Sequence, residues 1–373
     1  MKNLFLSLIL ILILTATLPA QSTAFDPDKY HGTMSELYLN RQPSAKSEAM
    51  GRGLVANTEN DFGSYYNPAL TSLGTGITVN TSFSSPYYLA GKSKFNYFGA
   101  SYSNKKLGGF AFSRYFWTFG EDIPVYNEQG VQISTGDVNY SLYTLNYSRE
   151  IIKDLSAGLN IAMVQMHFPP EGSGASASTG TAYTLDLGVL KKFEIISASN
   201  KNLNHSVNIG SSIYNLTSTK ISVADDAQKE ALPVLFRIGT SYNLKLKGSG
   251  IIPNSNILEL LTHIEYQNVL NSDYDKMFKI GQEVTVAEII SLRCGYFSQK
   301  LDNFGYPSAN ADKQSQFTYG AGVKIPLGLI FKSKTPISLT VDYVNLEQPT
   351  FLAYDYKWEN FSTVSVNLKF APF

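Results

Sequence analysis

The sequence predicts an all-β fold, a 14-stranded antiparallel transmembrane β-barrel with an N-terminal hatch or plug segment ahead of its first strand. Three observations predict it. Apolar and polar residues alternate with period two over most of the chain, the pattern of strands with one greasy and one wet face. The connections between strands are sorted by parity into short and long. The composition is poor in charge, at 16% against the roughly 25% usual in soluble domains, and rich in aromatic residues, with 24 Tyr, 22 Phe and 2 Trp.

Residues 1–24 read as a secretory signal peptide, with Lys2 as its positive start and an apolar run from Leu4 to Leu18. That run is shorter than the ~20 residues that span a bilayer as a helix, and small residues come after it, which predicts cleavage after Ala20 or Ala24. Residues 25–76 differ in character from the alternating strands beyond them. They hold a helix-compatible stretch from Ser44 to Gly53 and then Tyr65-Tyr66-Asn67-Pro68-Ala69, whose Asn-Pro marks a turn. A segment this rich in Ala, Tyr and Leu is expected to fold back into the barrel as a plug rather than trail as a tail.

The barrel proper is expected over 77–373. Strands are read at 77–84, 95–103, 107–118, 136–151, 155–167, 181–193, 204–215, 233–245, 257–268, 275–286, 289–298, 315–325, 337–344 and 362–370. Alternation is clearest where Phe317, Tyr319, Ala321, Val323 and Ile325 interleave with Gln316, Thr318, Gly320, Gly322 and Lys324. It recurs where Ile337, Leu339, Val341 and Tyr343 oppose Ser338, Thr340 and Asp342. Most of these runs approach the ~9–11 residues a tilted membrane strand needs. An even strand count suits a barrel with both chain ends on one side. The tight turns 104–106, 152–154 and 287–288 fall on even connections. The long loops 119–135, 168–180, 216–232, 299–314 and 345–361 fall on odd ones. A sandwich has no reason to sort its connections this way, whereas a barrel with short periplasmic turns and long outer loops does.

The inward row then carries the informative residues. Gly158, Gly188, Gly210, Gly239, Gly281, Gly295, Gly320 and Gly322 fall on the polar face. They imply either room for a plug or a lipophilic molecule, or relief of crowding inside the wall. Arg237, Glu259, His263, Glu265, Lys279, Glu283 and Arg293 share that face on four neighbouring strands. Their mixed signs predict a lumenal ion-pair network that stiffens the wall rather than a selectivity filter. Tyr87, Tyr88, Phe116, Trp117, Phe351, Tyr354, Tyr356 and Trp358 are expected near the outer rim, as docking aromatics or as part of an interfacial girdle.

A resemblance joins these observations. The Ala49-Met50-Gly51 element followed by Tyr66-Asn67-Pro68-Ala69 resembles the N-terminal hatch signature of the FadL-like outer-membrane barrel superfamily. Phe278-Lys279-Ile280-Gly281-Gln282-Glu283 and Leu292-Arg293-Cys294-Gly295-Tyr296-Phe297 look like paired late strands of its PorV/PorQ branch. Leu70 stands where the family usually has glycine, so the hatch turn is expected to differ. The resemblance implies a plugged fourteen-stranded barrel, located in the bacterial outer membrane and in contact with its lipid. It also implies one of two roles: association with type IX-style protein secretion and its partner proteins, or passive FadL-type transport of long-chain fatty acids or other hydrophobic ligands.

Several function classes are set aside. Thirty Lys+Arg balance thirty Asp+Glu, and no basic block offers phosphates a surface, so nucleic acid is not the expected partner. The single cysteine, Cys294, excludes a disulfide framework and a Cys-built zinc site. His31, His167, His205 and His263 form no nucleophile triad or metal spacing, and there is no phosphate or dinucleotide loop. No enzyme, cofactor or metal is expected.

Overall fold

A computed structural model of the chain describes residues 42–59, 61–84, 94–126, 130–168, 178–196, 202–222, 229–248, 256–271, 276–300, 313–332, 336–349 and 358–371. The predicted signal peptide lies outside the described residues.

Strand alternation closes the wall. The strands are β1 (Gly76–Ser84), β2 (Lys94–Asn104), β3 (Gly108–Tyr126), β4 (Gln132–Ile152), β5 (Leu155–Phe168), β6 (Ser178–Ile196), β7 (Leu203–Tyr214), β8 (Lys220–Ser222) and β9 (Lys229–Ala231). They continue with β10 (Leu235–Lys247), β11 (Asn256–Val269), β12 (Met277–Val286), β13 (Ile290–Lys300), β14 (Lys313–Ile325), β15 (Ile337–Pro349) and β16 (Trp358–Phe370). All but β8 and β9 form one closed ring of 14 strands, sealed where β16 pairs with β1 from Ile77↔Phe370 to Ser84↔Thr363. Every pairing in the ring is antiparallel. The predicted all-β barrel and its strand number are what the chain forms.

Two departures have local causes. β3 runs to Tyr126 and β4 starts at Gln132, so this hairpin stands much taller than the period-two reading allowed. Register shifts at Thr118/Gly120 and Gly120/Ile123 break the alternation there, which hides the upper part of the strands from a pattern search. The expected loop 216–232 contains the β8–β9 hairpin, a small sheet apart from the ring.

The ring has a turn end, carrying the tight connections such as Asn104 to Gly108, and a loop end, carrying the long ones. Ala287 and Glu288 both sit at positive φ (54° and 56°), the left-handed geometry a short hairpin turn demands. Along β12 the burial alternates residue by residue: Met277, Lys279, Gly281 and Glu283 are buried, while Phe278, Ile280 and Gln282 are exposed. On this strand Lys279 and Glu283 therefore face inward while Phe278 and Ile280 face outward. The outer surface carries Leu145, Ile161, Tyr183, Leu292, Phe317 and Tyr319, all exposed. So much exposed apolar surface is unfavourable in water.

The described residues between Gln42 and Leu73 pack against the inner side of the ring. They form α1 (Ala45–Ala49), α2 (Gly63–Tyr66) and a 3-10 turn at Pro68–Leu73. Ser44 caps α1 by accepting from the Ser47 N–H, and Asn67 caps the 3-10 turn by accepting from the Ala69 N–H at 3.0 Å, with Pro68 in the first helical position. The main buried cluster is built between this lumenal segment and the wall, with Met50, Leu54, Phe62, Tyr65 and Tyr66 packing against inward aromatics.

Candidate functional site: the occupied lumen

Cross-strand register turns the inner wall into level rows. Across β2 to β6 the row nearest the loop end is Phe95–Trp117–Tyr140–Met166–Gly180, and the next is Tyr97–Tyr115–Leu142–Val164–Ala182. Below them come Gly99–Ser113–Thr144–Ala162–Thr184 and then Ser101–Ala111–Asn146–Asn160–Asp186, and nearest the turn end Ser103–Gly109–Ser148–Gly158–Gly188. The lumen is thus apolar and aromatic toward the loops, then hydrogen-bonding, then only glycine and serine. The upper rings stack: Trp117 lies parallel to Phe95 (centroids 5.2 Å apart) and to Tyr140 (5.0 Å).

The row of glycine and serine is a seat for the lumenal segment. A Cβ placed on Gly109 would strike the Thr71–Ser72 backbone, and one on Gly158 or Gly188 would strike Pro68. Farther round, Gly210 and Gly239 face Val55, Gly281 and Gly295 face Met50, and Gly320 faces Ala49. Gly322 differs, since it gives room to the Asp342 and Arg293 side chains instead. Gly109, Gly158, Gly188, Gly210, Gly281 and Gly295 admit the backbone of the segment at contact distance, a use only a residue lacking Cβ can serve.

Hydrogen bonds fix the segment to this belt. Asn67 Nδ2 donates to the carbonyls of Val55 (2.9 Å) and Val189 (3.0 Å), and Asn146 Nδ2 donates to the Pro68 carbonyl at 3.0 Å. Thr318 Oγ1 accepts from the Gly51 N–H and donates to the Ala49 carbonyl, both at 2.9 Å. Ser212 Oγ donates to the Tyr66 carbonyl at 3.1 Å. Ala49, Met50, Gly51, Tyr66, Asn67, Pro68 and Ala69, singled out in the sequence, all lie in the stretch held against this belt. Leu70 is buried and packs on Gly63, where a Cβ would come within 2.8 Å of the leucine Cβ.

The charged residues divide into three groups rather than one network. Lys279 Nζ donates to Glu265 (2.8 Å) and Gln267 (2.7 Å), Arg237 reaches Gln267, and Glu265 also accepts from the Val55 N–H at 2.8 Å. A second group joins Lys46 to Glu283 at 2.7 Å, Glu283 to Arg293, and Arg293 to Asp342 at 2.7 Å. Glu259 stands apart toward the turn end, 3.9 Å from Lys245, which also meets Glu59. His263 Nε2 donates to the Met50 carbonyl at 2.7 Å, because a carbonyl can only accept. Much of this chemistry therefore grips the lumenal segment, not only the wall.

Arg237 also donates to the Tyr65 carbonyl at 3.1 Å and lies 4.9 Å from the Tyr214 ring centroid. The same guanidinium lies 5.6 Å from the Tyr65 ring centroid, so its cation rests against both of these aromatic rings. Within the segment, Arg52 bonds Glu48 at 2.8 Å and lies 4.3 Å over the Phe297 ring, both charges being buried.

Sequence reasoning missed Lys46, Glu48, Arg52 and Gln267 as partners in these groups. Asp342 is visible in the sequence as a polar member of its strand's inward row. Trp117 is a correction: it is buried inside the lumen, not displayed at the rim, while its neighbour Phe116 points outward. Tyr87, Tyr88, Phe351, Tyr354 and Tyr356 lie outside the described residues, as does the side chain of Trp358. On the turn side of the belt lies a polar cavity of about 540 Å³, lined by Lys245, Glu259, Lys324, Asp342 and Lys369 among others. No cluster of His, Cys, Asp and Glu among the described residues could hold a metal ion.

Among solved structures the chain is similar to the Pseudomonas putida toluene transporter TodX, with 11% identity and a TM-score of 0.42 over 89% of this chain and 98% of that one. It is also similar to the Ralstonia pickettii toluene transporter TbuX (12%, 0.41, 90% and 99%). A Pseudomonas aeruginosa FadL homologue gives 9%, 0.41, 90% and 99%. Identities and TM-scores this low assign neither a family nor a substrate. No protein-family model and no curated protein matches the chain.

Proposed function

We propose that this chain is a non-enzymatic barrel of the bacterial outer membrane, plugged by its own segment 25–76, that passes hydrophobic small molecules by FadL-type passive transport. The observation that carries the reading is the pair of inward rows led by Phe95–Trp117–Tyr140 and Tyr97–Tyr115. They form a buried apolar, aromatic cluster toward the loop end of the lumen, where an aqueous pore would be lined with polar groups. The apolar exterior suits contact with lipid, the predicted signal peptide suits export, and the hatch signature resembles that of the FadL-like superfamily.

Trp117 reports on this directly. The sequence has two tryptophans, so a Trp358→Phe variant leaves Trp117 as the sole indole. Titrating detergent-solubilised protein with a long-chain fatty acid or an arene is expected to change its fluorescence saturably. In cells, deleting the gene is expected to slow uptake of the labelled compound. Unchanged fluorescence together with unchanged uptake removes the reading.

A second reading rests on the two late-strand motifs that resemble the PorV/PorQ branch. In it the barrel serves type IX-style protein secretion and binds secretion-system proteins. Purification in mild detergent separates this role from the first, since recovery of the barrel alone counts against it.

A further inference from the structure

The hairpins β13–β14 and β15–β16 part company toward the loop end. The ladder between β14 and β15 runs from Ile325↔Leu339 to Gly320↔Val344 and stops there. Yet β14 stays paired to β13 as far as Lys313, and β15 to β16 as far as Pro349. Residues 313–319 and 345–349 therefore edge a V-shaped notch in the wall, with no strand between them among the described residues.

Backbone direction shows what the notch offers. The Lys324 N–H bonds the Ile289 carbonyl on the β13 side. Backbone groups alternate sides along a strand, so Ser315, Phe317 and Tyr319 point theirs into the notch. The Ala371 N–H bonds the Pro336 carbonyl, so even positions of β15 face β16, and Asn345, Glu347 and Pro349 face the notch. A proline is tolerated at such a place because no ladder needs its N–H.

The same wall shows how such an edge is covered. β6 continues to Ser178, but its ladder with β7 ends at Leu187↔Ile213. There the chain supplies its own cover: the Leu216 N–H bonds the Leu185 carbonyl at 2.8 Å, Thr219 Oγ1 bonds the Tyr183 carbonyl at 2.9 Å, and β8 lies against Gly180. The β14–β15 notch has no equivalent among the described residues. Its inner floor is dry, made of Ala45 and Ala49 of α1 with Val344 and Leu346. Its outer edge carries Phe317 and Tyr319, 78% and 65% exposed. Lipid chains cannot bond to strand edges, whereas an extended polypeptide can bond to both sides at once.

We propose that the β14–β15 notch is a β-augmentation site that takes one extended polypeptide segment of another protein, entering from the loop end. Its recognition would be mainly backbone pairing, with alternate apolar residues set against α1 on one side and the membrane on the other. This goes beyond the transport reading and does not depend on it.

The test uses the full chain in its own outer membrane. A photoreactive p-benzoylphenylalanine is placed at Phe317 and, in a separate strain, at Tyr319, and adducts are mapped by mass spectrometry. The expected result is an adduct to a polypeptide other than this chain, whose attachment point moves by two residues along one segment when the probe moves by two; an adduct to this chain's own residues overturns the proposal. In the Phe317 strain, Tyr319→Cys with Asn345→Cys in a Cys294→Ser background, once oxidised, draws the edges together, and the adduct is expected to be lost. If the thiols do not join directly, a bifunctional methanethiosulfonate reagent closes the notch for the same measurement. Adducts to lipid or small molecules only, adducts with no register, or adducts that survive closure overturn the proposal. Retained heat-modifiability on gels shows that each variant still forms its barrel.

Discussion

At the scale of single residues, the decisive group is one that is missing. Gly295 lies against the backbone of Met50 and Gly51, and a Cβ there would come within 2.8 Å of the Met50 Cα. Neither backbone can move aside as a flexible side chain would. Gly295→Ala is therefore expected to cost about 1–3 kcal/mol, the usual penalty of overpacking, and to lift the segment from its seat. Thermal unfolding in detergent and protease sensitivity of residues 42–75 measure the two effects. A variant indistinguishable from wild type in both would mean that the close approach is not what holds the segment. The eight inward glycines were legible in the sequence as a row, because parity places them all on the polar face. Which of their two meanings applied was not legible, since that depends on what a distant stretch of chain puts beside them. The same limit governed Trp117. Phe116 and Trp117 are adjacent, so one must point out and the other in, and both the rim and this lumen accept aromatics.

Elements act through the strands that hold the segment. β11 and β12 meet it through Glu265 and Lys279, an ion pair in which each side chain is 1% exposed. Glu265 also accepts the Val55 N–H, so it ties a strand pair to the segment. Lys279→Met leaves that carboxylate buried without its cation and is expected to destabilise the protein by about 3–5 kcal/mol. Adding Glu265→Gln removes the stranded charge and is expected to recover much of the loss, as read by thermal unfolding of the single and double variants. If the double variant is no more stable than the single, the pair's charge is not the relevant quantity. The strand members of these groups could be read from alternation. Lys46, Glu48 and Arg52 could not: a helix of five residues is too short to show a period, and their partners lie more than two hundred positions away or within one turn.

On the scale of the molecule, the fold was the most legible feature, because closure requires every strand to repeat the same two-faced pattern. The tips of β3 and β4 escaped because bulges interrupt that pattern. The belt, the segment and the polar groups around them fill the lumen at one level, so the wild-type protein in a planar bilayer is expected to show little steady current. Large, persistent conductance would contradict an occupied lumen. The seat also has a bearing on how the molecule is assembled. Its contacts come from strands spread around almost the whole circumference, β3 through β14, and most of them grip main chain rather than side chains. A stretch held that way cannot be threaded into a finished cylinder without unmaking many bonds at once. Seating that stretch and closing the ring at the β1–β16 joint are therefore coupled, since neither can be undone while the other stays intact.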